Sequence, residues 1–337
     1  MPFKNELARI ENEVNKGIGS KVITHLIATD EKRITKGLSS GSLTLNYALS
    51  GYPAVGYAWG RIIEIYGPEM SGKTTLALHA VCETQKLGLP TMYIDAEHSC
   101  DPKYMENIGI DLRKLSFVQP DYGEQALKIC RKALLSGYKL IVIDSVAALT
   151  PLAELEGDIG DSRMGVQARM MGQAMRVLTS TISKEKAIVI FINQIREKIG
   201  IMFGSPEVTT GGRALKFYAS YRIEVRSPRS GKIEEKDMSE TVEKGIKVNA
   251  KVVKNKLYPP FRSTTFTIMY GKGIDKLHDA VALLEKIKIF KQTKRNKAAL
   301  KIGKRLYTAK ELYNELSQGD KELKSEVRQI LKREFSK

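Results

Sequence analysis

The sequence predicts an α/β fold, a mostly parallel central sheet covered by helices on both faces. Three observations carry that expectation. Short apolar runs rich in β-branched residues alternate with stretches of helical periodicity from Arg61 to Gln194, and such alternation builds parallel strands joined by crossover helices. Between the first of these strands and its helix lies "GPEMSGKTT", residues 67–75, with the G-x-x-x-x-G-K-[ST] spacing of a phosphate-cradling loop. Three runs finish in polar residues, at the carboxyl ends where open sheets of this kind collect ligands.

The elements follow in chain order. "MPFKNELARIENEVNKG" reads as an amphipathic helix and "SKVITHLI" as a short strand, so residues 1–35 form an N-terminal appendage. In the core, residues 36–273, "RIIEIYG" is a strand and "KTTLALHAVCETQKLG" a helix closing on Gly88. "TMYIDAE" is the next strand and "GEQALKICRKALLSG" the next helix, and "KLIVIDS" and "AIVIFINQ" are two further strands. "YRIEVRS", "GIKVNAKVVKN" and "STTFTIMYG" extend the same sheet, with "RSGKIEEKDMSE" as a charged turn between them. Residues 274–337 read as a small, basic, α-rich domain: from Lys276 onward a helical, lysine-rich tail carries 17 Lys/Arg against 8 Asp/Glu.

Composition narrows the function classes. A chain of 337 residues can bury one large core with smaller appendages. No apolar run approaches the roughly 20 residues that span a bilayer. The start has no signal-peptide core, so a cytoplasmic location is the expectation, with no membrane partner. Cys82, Cys100 and Cys130 are spaced for neither a zinc site nor a disulfide framework and read as reduced and structural. Four scattered histidines do not make an imidazole metal centre. The formal charge of +17 suits a polyanionic partner such as nucleic acid, or simply a solvated basic surface. Charge alone does not decide.

The glycine loop gives sharper chemistry. Backbone amides around Gly67, Pro68, Glu69, Met70, Ser71 and Gly72, and the start of the following helix through Thr75, would face phosphates. Lys73 would reach the β and γ oxygens of ATP, and Thr74 would ligate Mg²⁺. The bland reading is a glycine turn that only lets a helix pack, but the strand before and the helix after supply the required context. Asp144, ending "LIVIDS", would hold the magnesium directly or through water. Taken alone it could equally cap a turn. Glu97, just past a strand end, can polarise a water for attack on the γ-phosphate, against the alternative of a surface carboxylate. Asp95 sits nearer the strand interior and is the poorer base. His98 reads as packing.

A longer resemblance then appears. "GPEMSGKTTL", "YIDAEHSCDPKY", "QPDYGEQALKIC", "VIDSVAALTPLAELEGDIGDSRMG", "ARMMGQAMR", "IFINQIREKIGIMFGSPEVTTGGRALKFYAS" and "KVVKNK" occur in order and at compatible distances. Together they resemble a bacterial-type RecA recombinase from about Gly41 to Gly273. The resemblance implies a RecA-type ATPase core that forms a helical homo-oligomeric filament on single-stranded DNA, pairs it with homologous duplex and exchanges strands. It implies that Glu97 activates the hydrolytic water and that Asp101 and Tyr104 contact and stack on the adenine. It implies Gln194 as a γ-phosphate sensor, Lys254 and Lys256 as a pair reaching a neighbouring subunit's ATP, and Phe217 as an interface residue coupled to that pocket. Without it, two strand lysines would read as solvated.

The same resemblance marks two DNA loops, 156–165 and 197–212. Arg169, Arg176, Arg196 and Lys198 can meet phosphates, and Gly165, Gly211, Gly212 and Arg213 lie at loop ends where the backbone can come close. Met164, Ile199, Met202 and Phe203 can wedge or stack against bases without reading them. Burial of "IGIMFG" in the core is the bland alternative, disfavoured by Gly200, Gly204 and Pro206.

Departures from the family pattern are Arg163, Arg213 and Glu197 in or beside the loops, the long connector "SGYPAVGYAWGR", and the C-terminus. Family members commonly end in an acidic tail, whereas nine of the 20 residues from Lys286 to Arg305 are basic and none is acidic. Duplex DNA contact with less autoinhibition is the expectation there, in a divergent, mobile-element-encoded member. A LexA-like repressor and loading factors are partners the resemblance admits and the residues do not decide. Two other functions fit less well. One is a RecA-fold DNA motor such as a hexameric helicase, against which the matches through both loops and "VKNK" count. The other is an ATP-binding scaffold without turnover, against which the complete set Lys73, Thr74, Glu97, Asp144 and Gln194 counts.

Overall fold

The computed structural model describes residues 36–158, 165–197, 207–237, 240–292, 298–303 and 305–335, together with Arg9, Glu13 and Lys16. The chain divides into two compact units, Met1–Thr35 and Lys36–Lys337. Of the first unit those three residues are described, all helical; the strand expected at "SKVITHLI" lies outside the described residues.

The second unit opens with β1 (Gly37–Leu38), helix α1 (Leu43–Ser50) and β2 (Tyr57–Ala58), β1 and β2 forming a two-stranded ribbon. The long connector thus has a structural reason. It carries β2 and buries Tyr57 edge-on against Tyr221, ring centroids 6.3 Å apart. Next come β3 (Arg61–Gly67), α2 (Lys73–Lys86), β4 (Thr91–Asp95), α3 (Pro102–Ile108), β5 (Leu115–Val118), α4 (Gly123–Leu135) and β6 (Leu140–Asp144). Then follow α5 (Leu152–Leu155), α6 (Val166–Lys184), β7 (Ile188–Glu197), β8 (Glu207–Thr209), α7 (Ala214–Tyr218) and β9 (Tyr221–Arg226). The sheet is completed by β10 (Lys232–Asp237), β11 (Glu240–Asn255), β12 (Ser263–Met269) and β13 (Gly273–Ile274).

Its order is β13-β12-β11-β9-β3-β7-β6-β4-β5, with β10 on β11 and β8 on β7. The six strands from β9 to β5 are parallel, and β11 to β13 add an antiparallel wing. β3 is flanked by β7 and β9, so its carboxyl end lies among the ends of strands that come later in the chain. β10 corrects the reading of "RSGKIEEKDMSE" as a turn: its middle six residues, Lys232–Asp237, pair with β11. Five of the six residues of β10 are charged, so the sequence there has no apolar period to read.

Two apolar layers hold the sheet. Ile63, Ile65, Leu76, Tyr93 and Phe266 belong to the layer that α2 covers, and Ile62, Ile141, Phe191, Met171 and Leu215 to the layer under α4, α6 and α7. The covering of both faces explains why β4 and β6 are buried at every position rather than alternately.

His79 of α2 lies inside the first layer, its Nε2 accepting from Ile274 N at 2.8 Å. Burial first, then the Lys276 and Lys86 charges, lower its pKa to about 3. The unfolded chain therefore binds a proton, between the ordinary value of 6.5 and about 3, that the folded ring refuses. Stability is present above that window and is lost as pH falls through it. His79→Gln keeps an acceptor for Ile274 and removes the titration. In urea unfolding its loss of stability from pH 7 to pH 5 should be about 2 kcal/mol smaller than the parent's; an equal loss would mean the ring charges in place.

The C-terminal region comprises α8 (Lys276–Lys286), β14 (Lys291–Gln292), β15 (Ala298–Ile302), β16 (Arg305–Tyr307), α9 (Ala309–Ser317) and α10 (Lys321–Phe335). The lysine-rich stretch is not all helix. β14 to β16 form a three-stranded antiparallel sheet, and Leu300, Ile302 and Tyr307 bury against Val281, Leu284 and Leu312. A period of two over so few residues is lost among nine basic side chains.

Candidate functional site

β3 reaches its carboxyl end at Gly67, which is buried. A Cβ there would stand 2.0 Å from the Val225 carbonyl oxygen, so only glycine lets the chain leave the sheet at that point. Gly72, at φ 93°, is the residue before α2, and a Cβ on it would meet Ile268 Cδ1 at 2.5 Å. No side chain caps α2, so its first-turn amides remain available to an anion, aided by the helix dipole. Lys73 is buried. Its Nζ donates to the Pro68 carbonyl at 2.5 Å, and Ser71 Oγ donates to the same oxygen at 2.8 Å. Burial lowers the Lys73 pKa, opposed by the nearby Asp144, Glu97 and Glu69 carboxylates. Pro68, Glu69 and Met70 are exposed. A cleft of about 240 Å³ runs over this loop, lined by Met70 to Thr75 with Tyr104, Ile246, Ile268, Tyr270 and Gly271.

β6 ends on Asp144, beside the loop. Its Oδ2 accepts from Thr74 Oγ1 at 2.9 Å and from Tyr93 OH at 2.7 Å. Burial raises its pKa to about 6, against the two hydroxyl donors and with Glu97 and Asp95 adding to the rise. A hydroxyl and a carboxylate held together at the foot of a phosphate loop are hard oxygen donors, the set a magnesium ion takes beside a nucleotide. The residues fit that ion.

Glu97 follows β4. Its Oε1 accepts from Ser145 Oγ and from Gln194 Nε2, the latter at 2.8 Å. Ala96 N and Glu97 N donate to the Asp144 carbonyl at 2.7 and 3.2 Å, stitching the end of β4 to β6. The ends of β3, β4, β6 and β7 therefore bring Lys73, Thr74, Asp144, Glu97 and Gln194 into one cluster. Ser145 and Tyr93 belong to it and were not singled out in the sequence; Ser145's only signal was its place directly after Asp144. Asp101 caps α3 by accepting from Lys103 N at 2.8 Å, and Tyr104 OH bonds Thr75 Oγ1 at 2.7 Å while its ring lines the cleft. Asp95 is buried and accepts from Ser99 N, Cys100 N and Gln119 Nε2, which makes it a support of the turn that carries Glu97. His98 corrects its reading as packing: it is exposed, at φ 56°.

A second polar group surrounds α7. Phe217 is 70% exposed. Lys254 Nζ donates to the Lys216 and Phe217 carbonyls at 2.6 and 2.9 Å, and Lys256 Nζ to the Phe217 carbonyl at 3.3 Å. Both lysines thus sit at the negative end of a short helix. Burial lowers the Lys254 pKa, followed by the Lys256 and Arg222 charges.

The loop residues divide. Arg163, Met164, Lys198, Ile199, Met202 and Phe203 lie outside the described residues. Gly165, at φ 85°, precedes α6, whose Arg169 and Arg176 are both exposed and two turns apart on one face. Arg196, Glu197 and Arg213 are exposed. Gly211 is buried: a Cβ would stand 2.7 Å from Val146 Cγ1, and one on Gly212 2.7 Å from Ala168 Cβ, with both residues at φ 77°. These glycines let the returning loop pack against α6.

The family model described as the RecA N-terminal domain matches residues 5–275. Protein RecA of Chelativorans sp. (strain BNC1) is 53% identical over 273 residues, covering 81% of this chain and 73% of its own. Protein RecA of Mycoplasma mycoides subsp. mycoides SC is 50% identical over 291 residues, covering 86% and 81%. The crystal structure of the RadB recombinase superposes with a TM-score of 0.53 at 22% identity, over 70% of this chain and 98% of its own, a likeness of fold. With the glycine loop, the strand-end carboxylates and the flanking sheet in the arrangement just described, the chain belongs to the bacterial-type RecA family.

Proposed function

We propose that this chain is an ATP- and Mg²⁺-dependent recombinase that assembles as a filament on single-stranded DNA, pairs it with homologous duplex and exchanges strands. The observation that carries the reading is the double hold on Glu97. Its Oε1 accepts both from Ser145, next to the residue that would serve magnesium, and from Gln194, on the strand that runs into the second loop. A carboxylate placed there can take a proton from water as the water oxygen forms its bond to the γ-phosphorus and the β–γ bridging bond breaks. Lys73, returned from the Pro68 carbonyl to the phosphates, and the first-turn amides of α2 offset the charge that develops. Magnesium, held by Thr74 and through Asp144, would supply further neutralisation of the phosphate oxygens.

Loss of the γ-phosphate removes the partner to which Gln194 would turn from Glu97. The second loop begins three residues beyond, so nucleotide state reaches the DNA-holding surface through one strand end. On that surface Arg169, Arg176, Arg196 and Arg213 would meet phosphates of the strand, with Lys198 and the apolar loop side chains beside them. Lys254, Lys256 and Phe217 would face the ATP of an adjoining copy, giving the triphosphate charge-assisted contacts from two protomers and favouring one filament geometry. Residues 1–35 would contact the neighbouring protomer, and the basic region after residue 274 the duplex. Among the described residues no helix is long and apolar enough to cross a membrane.

D-loop formation between a single strand and homologous supercoiled duplex is the decisive assay. The parent protein should form joint molecules with ATP and Mg²⁺ and not with ADP, and Lys73→Ala should form none. Equal yield without a triphosphate would overturn the reading.

A further inference from the structure

One charge in the middle of the sheet has no part in the site described so far. Glu64 lies in the centre of β3, between Phe191 of β7 and Arg222 of β9 in register, and is 0% exposed. Its Oε2 accepts from Arg222 Nε at 2.5 Å and its Oε1 from Asn193 Nδ2 at 3.0 Å. Arg222 in turn lies over the Tyr66 ring, 4.6 Å from the centroid, one residue before the glycine loop. Asn193 uses all its polar capacity. Besides Glu64, Nδ2 donates to the Thr210 carbonyl at 3.1 Å, while Oδ1 accepts from Thr210 Oγ1 at 2.5 Å and from Gln194 N at 2.9 Å.

Stability does not ask for this pair. A buried ion pair is often no better than apolar side chains of the same volume, and the neighbouring positions of β3 are isoleucine. What an ionised carboxylate supplies is direction. It can only accept, so together with the Thr210 carbonyl, which takes the other Nδ2 proton, it holds the nitrogen end of the Asn193 amide towards β3 and the oxygen end towards Gln194 N. With Nδ2 committed to Glu64, Oδ1 must meet Gln194 N and Thr210 Oγ1. One side chain then ties the proposed γ-phosphate sensor to Thr210, which directly precedes Gly211, where the second loop returns to α6.

We infer that Glu64, anchored by Arg222, is a positioning residue that orients the Asn193 amide, so that the sensor Gln194 and the return of the second loop move as one unit. The inference rests on the proposed reading of Gln194 and of that loop. In Glu64→Gln the amide oxygen is claimed by Arg222 Nε, so the amide nitrogen faces Asn193 Nδ2, donor against donor, and that anchor of the Asn193 amide is lost at nearly unchanged volume. Asn193→Ala removes the link and leaves the ion pair intact.

The measurement is the affinity of the full chain for a fluorescent single-stranded oligonucleotide with a slowly hydrolysed ATP analogue and with ADP, alongside affinity for a fluorescent nucleotide and the thermal midpoint. In both variants the ratio of DNA affinities between the two nucleotide states should fall about tenfold, within the usual range of coupling between sites. Nucleotide affinity should stay within about twofold of the parent's, since neither residue lines the cleft. A parental ratio in Asn193→Ala overturns the inference. So does a loss of nucleotide affinity and thermal stability in step with the ratio in both variants, which would mark the network as structural only. A parent protein whose DNA affinity ignores the nucleotide would instead sink the proposed function.

Discussion

Glu97→Gln should lower single-strand-stimulated ATP hydrolysis by about 10²- to 10⁴-fold, the usual contribution of a positioned base, while nucleotide and DNA binding persist. The amide keeps an acceptor oxygen for the Ser145 hydroxyl or the Gln194 amide that now hold Oε1, so the strand ends stay in place and only proton uptake is removed. Phosphate release at saturating DNA and nucleotide reads the first quantity, and equilibrium titration with a fluorescent nucleotide the second. A further consequence follows from the proposed cycle. If hydrolysis loosens the filament's hold, the variant should stay on single-stranded DNA longer than the parent after a challenge with competitor DNA. Equal turnover in the two proteins would remove Glu97 from the mechanism and leave it as a structural link between β4, β6 and β7.

Gly67→Ala should abolish measurable nucleotide binding and lower stability by about 3 kcal/mol, the upper part of the usual range for overpacking. The added methyl would lie 2.0 Å from a backbone carbonyl of β9, which no rotamer change can relieve. Either the glycine loop leaves the strand end or β9 moves away from β3, and both displace the cradle. Gly172→Ala is the contrast. That glycine lies within α6 with nothing inside 4 Å of an added methyl, so the substitution should stabilise by about 0.5–1 kcal/mol through helix propensity. Chemical denaturation of both variants checks the pair. A Gly67→Ala protein of parental stability would show that the backbone there can yield.

Much of the site was legible because its parts are short and local. The glycine loop is a contiguous string, and Lys73, Thr74, Asp144 and Glu97 each stand at or just after an apolar run whose end can be read directly. The roles proposed for Asp101, Tyr104, Gln194, Phe217, Lys254 and Lys256 rest on resemblance alone, since a lysine in a strand or a glutamine near its end has no local signature. What was misread had weak periodicity. β10 and β15 are short strands among charged residues, where a period of two competes with lysine and glutamate that need no partner. Tyr57 and the connector before β3 gained a meaning only when β2 was seen to pair with β1.

By itself, the sequence determined the strand–helix alternation, the phosphate loop and the acidic strand ends, because hydrophobic periodicity and glycine spacing act over a few residues. Only the tertiary structure decided that Ser145 and Gln194 meet on Glu97, that Gly211 is held by packing against Val146, and that Glu64 fixes Asn193. Those contacts join residues 48 to 129 positions apart. Strand order in the sheet brings them together, and strand order leaves no trace in local composition.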